Sequence, residues 1–238
     1  MRLVVPAILP TSHKDLLEKL TYFEQIPAGR IQIDVVDGTF AFPPSWPYTA
    51  GDELHTRVAQ GELLPRLDHV KYEADLMCTD PEAIATDLIN YGVQRLTVHA
   101  ECTKDVGALI ASMRRKTGAE ANFIEMLVSV GLSIGMETDI SVLVEHASEV
   151  EYVQFMSIDS IGKQGEAFDP KVIDKIKAFH AACPDVIIQV DGGISLENAR
   201  ELVAAGASRL NIGSALLNAP DLHKTVAALE AIKSPFGI

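Results

Sequence analysis

Carboxylates lie inside stretches that otherwise read as buried strands. Alternation places Gln32, Asp34 and Val36 on one face of Ile31 to Val36. It places Lys71, Glu73, Asp75 and Met77 on one face of Val70 to Met77, and Gln189 with Asp191 on one face of the run from Val186 to Val190 and its next residue. A carboxylate in a strand core is costly unless it is paired, bound to a metal or used in catalysis. Asp34 and Asp191 therefore read as working groups. Glu73 and Asp75 read either the same way or as part of an interior network, such as Glu73 with Lys71. A second chemistry is suggested by glycines at strand ends, in Asp191-Gly192-Gly193-Ile194-Ser195 and in Asn211-Ile212-Gly213-Ser214-Ala215. Glycines there let backbone amides approach an anion, and tight turns are the plainer alternative.

The elements that must hold these residues follow from periodicity. Apolar runs with strand chemistry occur at Leu3 to Leu9, Ile31 to Val36, Val70 to Met77, Arg95 to His99, Val130 to Ile134, Tyr152 to Met156, Val186 to Val190 and Arg209 to Ile212. Between them lie helical patterns such as Leu16, Leu17, Leu20 and Phe23, or Val172, Ile173, Ile176 and Phe179, or Leu222, Val226 and Leu229. Helix starts are expected at Ser12 with Asp15, at Asp80-Pro81, at Asp169-Pro170, at Ser195, and at Asn218-Ala219-Pro220. Eight strands alternating with helices in 238 residues predict a (β/α)8 barrel, one domain spanning 1–238, over an open doubly wound sheet. In such a barrel the strand C-terminal ends and the loops after them form the functional face. Phe40 to Gly51, with three prolines, is expected to be a long irregular loop, and Gly118 to Ser129 to carry extra helix. Gly92-Val93-Gln94-Arg95-Leu96-Thr97-Val98 is echoed by Gly206-Ala207-Ser208-Arg209-Leu210-Asn211-Ile212, a recurring turn with glycine closing a helix before a strand.

Composition excludes other classes. Hydrophobic residues at 47% and charged residues at 22% support a buried core rather than disorder. A net charge of −13 without a basic run argues against a nucleic-acid partner, though it leaves an anionic small substrate open. No run of about 18 apolar residues predicts a membrane span, and the N-terminus lacks a signal-peptide pattern, so a cytoplasmic protein with no membrane partner is expected. Cys78, Cys102 and Cys183 form no C-x-x-C pair and are expected as reduced thiols.

Pro6-Ala7-Ile8-Leu9, Ile33-Asp34-Val35-Val36-Asp37-Gly38, Asp75-Leu76-Met77, His99-Ala100-Glu101, Met156-Ser157-Ile158, Val190-Asp191-Gly192-Gly193-Ile194 and Ala205-Gly206-Ala207 resemble, in this order and spacing, the ribulose-phosphate 3-epimerase family. The likeness runs from the first strand to the last and is most specific in the second and seventh. It implies a ribulose-phosphate-binding (β/α)8 barrel acting on a small phosphorylated ketose. Asp34 and Asp191 would be the acid/base pair that inverts a carbon through an enediolate. It also implies a divalent metal, which the family holds with two aspartates and two histidines. Here the histidine positions are Gln32 and Asp75. Gln32, Asp34, Asp75 and Asp191 would form an all-oxygen set suited to Mg²⁺ or Mn²⁺ rather than Zn²⁺. Pro10 stands where the family has a serine, and the loop Asp159-Ser160-Ile161-Gly162-Lys163-Gln164-Gly165 replaces its glycine-rich lid. The expected substrate and phosphate contacts are Ile8, Gly162, Lys163, Gly192, Gly193, Gly213 and Ser214. Three readings stand: an epimerase or isomerase, a sugar-phosphate binder without catalysis, and a phosphosugar lyase. The lyase pattern is off by one residue in each interval of Asp68, Lys71 and Asp75, which reverses faces in a strand. A homo-oligomer is expected, its order left open.

Overall fold

Alternating side chains on eight short strands divide the chain into an apolar outside and a polar inside, and this division builds the architecture. The computed structural model describes residues 2–116 and 128–236. Strands β1 (Val4–Ile8), β2 (Arg30–Val36), β3 (Lys71–Met77), β4 (Val93–His99), β5 (Ser129–Ile134), β6 (Tyr152–Met156), β7 (Ile188–Asp191) and β8 (Arg209–Ile212) pair in parallel, each with its sequence neighbour. The pairing of β1 with β8, Val4 opposite Leu210, closes the barrel. Each strand seen from sequence is present, and the structure is the (β/α)8 barrel those strands predict.

The connecting helices α1 (His13–Phe23), α2 (Glu53–Ala59), α3 (Pro81–Tyr91), α4 (Val106–Lys116), α5 (Ser141–His146), α6 (Val172–Ala182), α7 (Ala199–Ala205), α8 (Ser214–Leu217) and α9 (Leu222–Glu230) cover the outside. Outward residues such as Ile33, Val35, Leu76, Leu96, Leu132, Phe155 and Val190 are fully or nearly fully buried against helix faces such as Leu16, Leu20 and Phe23 of α1. Leu17, expected on that face, is 38% exposed, because position 17 falls a quarter-turn off the stripe.

The Ser12 hydroxyl accepts from the Asp15 amide and the Asp80 carboxylate from the Ala83 amide, so those two starts lie where expected. Three others shift. The Asp169 carboxylate caps a turn at the Lys171 amide before α6 opens at Val172, and the Ser195 hydroxyl accepts from Glu197 four residues before α7. At the last helix, Asp221 rather than Asn218 caps α9, accepting from the Lys224 amide. The proline-rich segment is irregular except for a 3₁₀ turn at Tyr48–Ala50. The helix expected over Gly118 to Ser129 falls largely on residues 117–127, outside the described residues, and Ser129 opens β5.

Inside the barrel the usual layers of branched apolar side chains are replaced by polar ones. Gln32, Glu73, Asp75, Arg95, Thr97, His99, Ser133, Gln154, Gln189 and Asn211 are all buried. Gly131 makes room for the largest inward group: a Cβ at Gly131 would lie 2.2 Å from the Tyr152 ring.

Candidate active site

Asp34 on β2 and Asp191 on β7 reach the mouth of the barrel from strands separated by β1 and β8. They line a cleft open to solvent, together with Ala7, Met77, Met156 and Ile158. One side chain joins the two acids. Gln32 Nε2 donates to Asp34 Oδ1 at 2.8 Å and also to Asp191 Oδ2. Asp75, fully buried beside them, accepts from Gln154 Nε2 at 2.9 Å, and its other oxygen lies 2.9 Å from His99 Nε2.

The amides turn their N–H groups toward the acids. Gln189 Nε2 donates to Glu73 and to Gln154 Oε1, each at 2.8 Å, and Asn211 Nδ2 donates to Gln32 Oε1 and Gln154 Oε1. The middle of the barrel is therefore a connected amide layer whose N–H groups end on acids. Parity identified Gln32 and Gln189 as inward. Gln154 and Asn211 escaped notice, although the same alternation along Tyr152, Gln154 and Met156 would have marked the first.

A carboxylate oxygen from each of Asp34, Asp75 and Asp191 lies within 4.8 Å of the others, a span that a divalent cation with oxygen ligands at 2.0–2.6 Å can bridge. Gln32, expected as a fourth oxygen ligand, turns Nε2 to the acids while its oxygen accepts from Asn211. Glu73 does not reach the mouth. It lies deeper, with Oε2 2.7 Å from Arg95 and 3.7 Å from Arg30, while Lys71 is exposed at the start of β3. The interior network is real, but its cations are arginines. Lys71 and Asp68, both exposed, do not converge with buried Asp75, so the lyase triad has no site here.

Burial, then repulsion from Asp191 and Asp75, pushes Asp34 well above the usual carboxylate range. Burial and Asp75 likewise push Asp191 up, to about 7, against the opposing hydrogen bonds from Gln32 and Asn211. Burial raises Glu73 to about 7 even though Arg30 and Arg209 pull it back. Burial alone would lower His99, but the charge and hydrogen bond of Asp75 outweigh it and its pKa is raised.

The glycines after β7 and β8 line the same cavity, with Ser214 and the loop residues Gly162 and Lys163. Gly192 and Gly193 have φ of 111° and 61°, and a Cβ at Gly193 would lie 2.7 Å from the Phe168 amide nitrogen. Lys163 is exposed at the rim, and its neighbour Gln164 donates to the Ala7 carbonyl at 3.2 Å, tying this loop to β1. Ile8 is placed elsewhere: it is fully buried in the apolar core, and its neighbour Ala7 lines the mouth. In the loop after β2, Asp37 accepts from the amides of Thr39, Phe40 and Thr79, fixing that loop to the end of β3.

The family model described as the Ribulose-phosphate 3 epimerase family matches residues 3–217. The chain is 26% identical over 238 residues to ribulose-phosphate 3-epimerase of Synechocystis sp., covering 98% of this chain and 94% of that protein. It is 27% identical over 235 residues to the Bacillus subtilis enzyme of the same name, covering 97% and 99%. Among solved structures, 3-hexulose-6-phosphate synthase from Salmonella typhimurium matches with a TM-score of 0.67 at 18% identity, covering 98% of both chains. 3-Keto-L-gulonate-6-phosphate decarboxylase from Vibrio cholerae matches at 0.65 and 16%, covering 96% of both. At such identities these two likenesses show the fold alone.

Proposed function

The chain belongs to the ribulose-phosphate 3-epimerase family, and we propose that it epimerises or isomerises a phosphorylated ketose using Asp34 and Asp191 as its acid/base pair. The observation that carries this reading is the placement of two buried carboxyls, joined by one amide group, in a mouth that also holds the glycine-lined cradle. Proton transfer at the carbon beside a carbonyl needs one group that accepts and another that delivers. Burial and mutual repulsion keep a proton on the Asp34–Asp191 pair into the neutral range, which supplies both forms at once. One carboxylate removes the proton, and the other carboxyl returns it to the planar intermediate. Met77 and Met156 narrow the mouth and displace water from around the reacting carbon.

The backbone at Gly192, Gly193, Gly213 and Ser214, with Gly162 and Lys163 above it, forms the phosphate cradle in this reading. A Cβ at Gly213 would lie 2.6 Å from Gln164 Nε2, a movable side-chain end, and 3.1 Å from the Ala7 carbonyl oxygen, so the chain passes close to the loop there. Asp34, Asp75 and Asp191 would hold a divalent cation, Mg²⁺ or Mn²⁺ by their hard oxygen donors, and the cation would stabilise developing enediolate charge.

The test is solvent-deuterium exchange into pentulose and hexulose phosphates, followed by NMR with and without Mg²⁺ or Mn²⁺. Exchange should occur with one of them and fall at least about 10³-fold in Asp34→Asn and in Asp191→Asn. Exchange unaffected by either substitution sinks the assignment. Binding without exchange under every metal would leave a sugar-phosphate binder in its place.

A further inference from the structure

A buried serine hydroxyl stands against the main chain of each of the two acids. The last residues of β2, Asp34 to Val36, lie past its pairing with β1, which ends at Ile8 opposite Ile33. The loop after β2 folds back and fills this edge with Ser45, which is 2% exposed. Its Oγ donates to the Asp34 carbonyl at 2.9 Å and accepts from the Val36 amide at 2.9 Å, while its own amide donates to the Val36 carbonyl at 3.0 Å. The Trp46 carbonyl, at 3.3 Å, is a poorer acceptor for the same hydroxyl. Trp46 anchors this part of the loop from outside the site. Its amide donates to the Pro10 carbonyl at 2.8 Å and its indole N–H to Glu53 at 3.0 Å.

Asp191 is held in the same manner by a residue from another part of the chain. Ser157, just after β6, is fully buried. Its amide donates to the Asp191 carbonyl at 2.8 Å, and its Oγ lies 2.9 Å from that oxygen and 2.6 Å from the Gly192 carbonyl oxygen. One hydroxyl proton serves these two acceptors. Ser157 is itself fixed, because its carbonyl accepts from the Asp169 amide at 2.9 Å. The C=O and N–H of a trans peptide point opposite ways, so a hydroxyl on the Gly192 carbonyl also sets the direction of the Gly193 N–H in the proposed cradle.

A single methylene separates an aspartate carboxyl from its backbone, so a movement of the peptide is carried almost undiminished to the carboxyl. Proton transfer between two groups and one carbon tolerates little of it. Gln32 ties the two carboxyls to each other, but that bridge alone would let them shift together. We infer that Ser45 and Ser157 are positioning residues, each holding the main chain of one aspartate so that both carboxyls face the same reacting carbon, and that Ser157 also orients the cradle. The inference rests on Asp34 and Asp191 being the acid/base pair.

The experiment compares the full chain with Ser45→Ala, Ser45→Thr, Ser157→Ala and Ser157→Thr. Three-bond couplings about the Cα–Cβ bond, measured by NMR with labelled aspartate, should report one rotamer for Asp34 and one for Asp191 in wild type. Ser45→Ala should average the couplings of Asp34 alone, and Ser157→Ala those of Asp191 alone. In the deuterium-exchange assay, with the ketose phosphate that wild type turns over, Ser45→Ala should lower kcat about tenfold and change KM less than about twofold. Ser157→Ala should lower kcat as much and raise KM about fivefold, because the cradle moves with it. Both threonine variants keep the hydroxyl and should keep the wild-type couplings and at least about half of kcat. A role in packing alone predicts the reverse order, since alanine only removes an atom whereas threonine adds a methyl to a filled site. Couplings and kcat unchanged in the alanine variants overturn the inference, and so do threonine variants as impaired as the alanine ones. If wild type exchanges no ketose phosphate, the reaction proposed for Asp34 and Asp191 is what fails, and the couplings still decide whether the serines hold them.

Discussion

Replacing Gln32 with leucine tests the idea that an amide layer balances the acids of the mouth. Leucine nearly keeps the side-chain volume but removes the donors to Asp34 and Asp191 and the acceptor used by Asn211, which retains Gln154 Oε1 at 3.2 Å. A hydrogen bond to a charged group contributes about 1.5–3 kcal/mol, and about 1.4 kcal/mol corresponds to one pKa unit, so the pair should titrate about one to two units higher in the variant. The sign of the stability effect follows from linkage. Both carboxyls lie above their unfolded value of 3.8, with Asp191 at about 7. The folded state therefore holds extra protons from about pH 4 upward, and the contribution of the pair falls as pH rises through that window.

In Gln32→Leu the window extends upward, so between pH 7 and 8 Asp191, which would then still hold its proton, adds about 1.4 kcal/mol of destabilisation that wild type does not show. Near pH 5, where the folded pair is largely protonated, the variant loses only neutral hydrogen bonds, about 1 kcal/mol. Urea unfolding at pH 5, 6, 7 and 8 measures this directly, provided the m-values agree. A deficit widening by about 1.5 kcal/mol from pH 5 to pH 8 is expected. A deficit constant across that range would refute the assignment of Gln32 as the donor that holds both acids.

Mn²⁺ at 100 times its dissociation constant should raise unfolding stability by about 2.7 kcal/mol at pH 8, and the gain should vanish in Asp75→Asn, as read by calorimetry. Gly131→Ala should cost about 2–4 kcal/mol in urea unfolding, because its Cβ would lie 2.2 Å from a ring wedged under Arg95; a cost below 1 kcal/mol would show that Tyr152 moves freely. Gly193→Ala combines a φ of 61° with a Cβ 2.7 Å from the Phe168 backbone, so about 1–2 kcal/mol of stability should be lost and KM for a ketose phosphate should rise more than kcat falls.

Strand positions were legible because the alternation inside β2, β3 and β7 is clean and because helices and strands alternate without interruption. Asp34, Asp75 and Asp191 could be grouped before any geometry was known, since two-residue periodicity is nearly free of tertiary context. What escaped depends on orientation within the barrel. For Gln32, residue type alone leaves open which end of the amide faces Asp34, and that depends on partners at both ends, among them Asn211, 179 positions away in the chain. Glu73 could be read either as a working group or as part of an interior network because parity fixes a face and not a depth. The register places Glu73 opposite Gln32 and Arg95, one inward layer below Asp75. Ile8 was assigned through its motif, while parity on β1 gives the mouth to Ala7. Helix starts shifted where two capping residues competed, as with Asn218 and Asp221.

These layers stack in one electrical direction. Guanidiniums lie at the floor with Glu73, neutral amides in the middle and the three aspartates at the mouth; Gln32 and Gln154 donate to the aspartates, and Asn211 donates to those two amides. The carboxylates repel an approaching phosphate, and the floor cations lie deeper in the barrel, on the far side of the amides, so attraction from the floor is weak at the mouth. Affinity for an anionic substrate must then come from the rim: the glycine backbone after β7 and β8, Lys163, or a cation bridging Asp34, Asp75 and Asp191. The rim and the interior consequently have separable roles. Changes at Gly193 or Lys163 should act on binding, whereas changes at Gln32, Gln154 or Asn211 should act on the proton occupancy of the acids and therefore on the pH at which the chemistry runs.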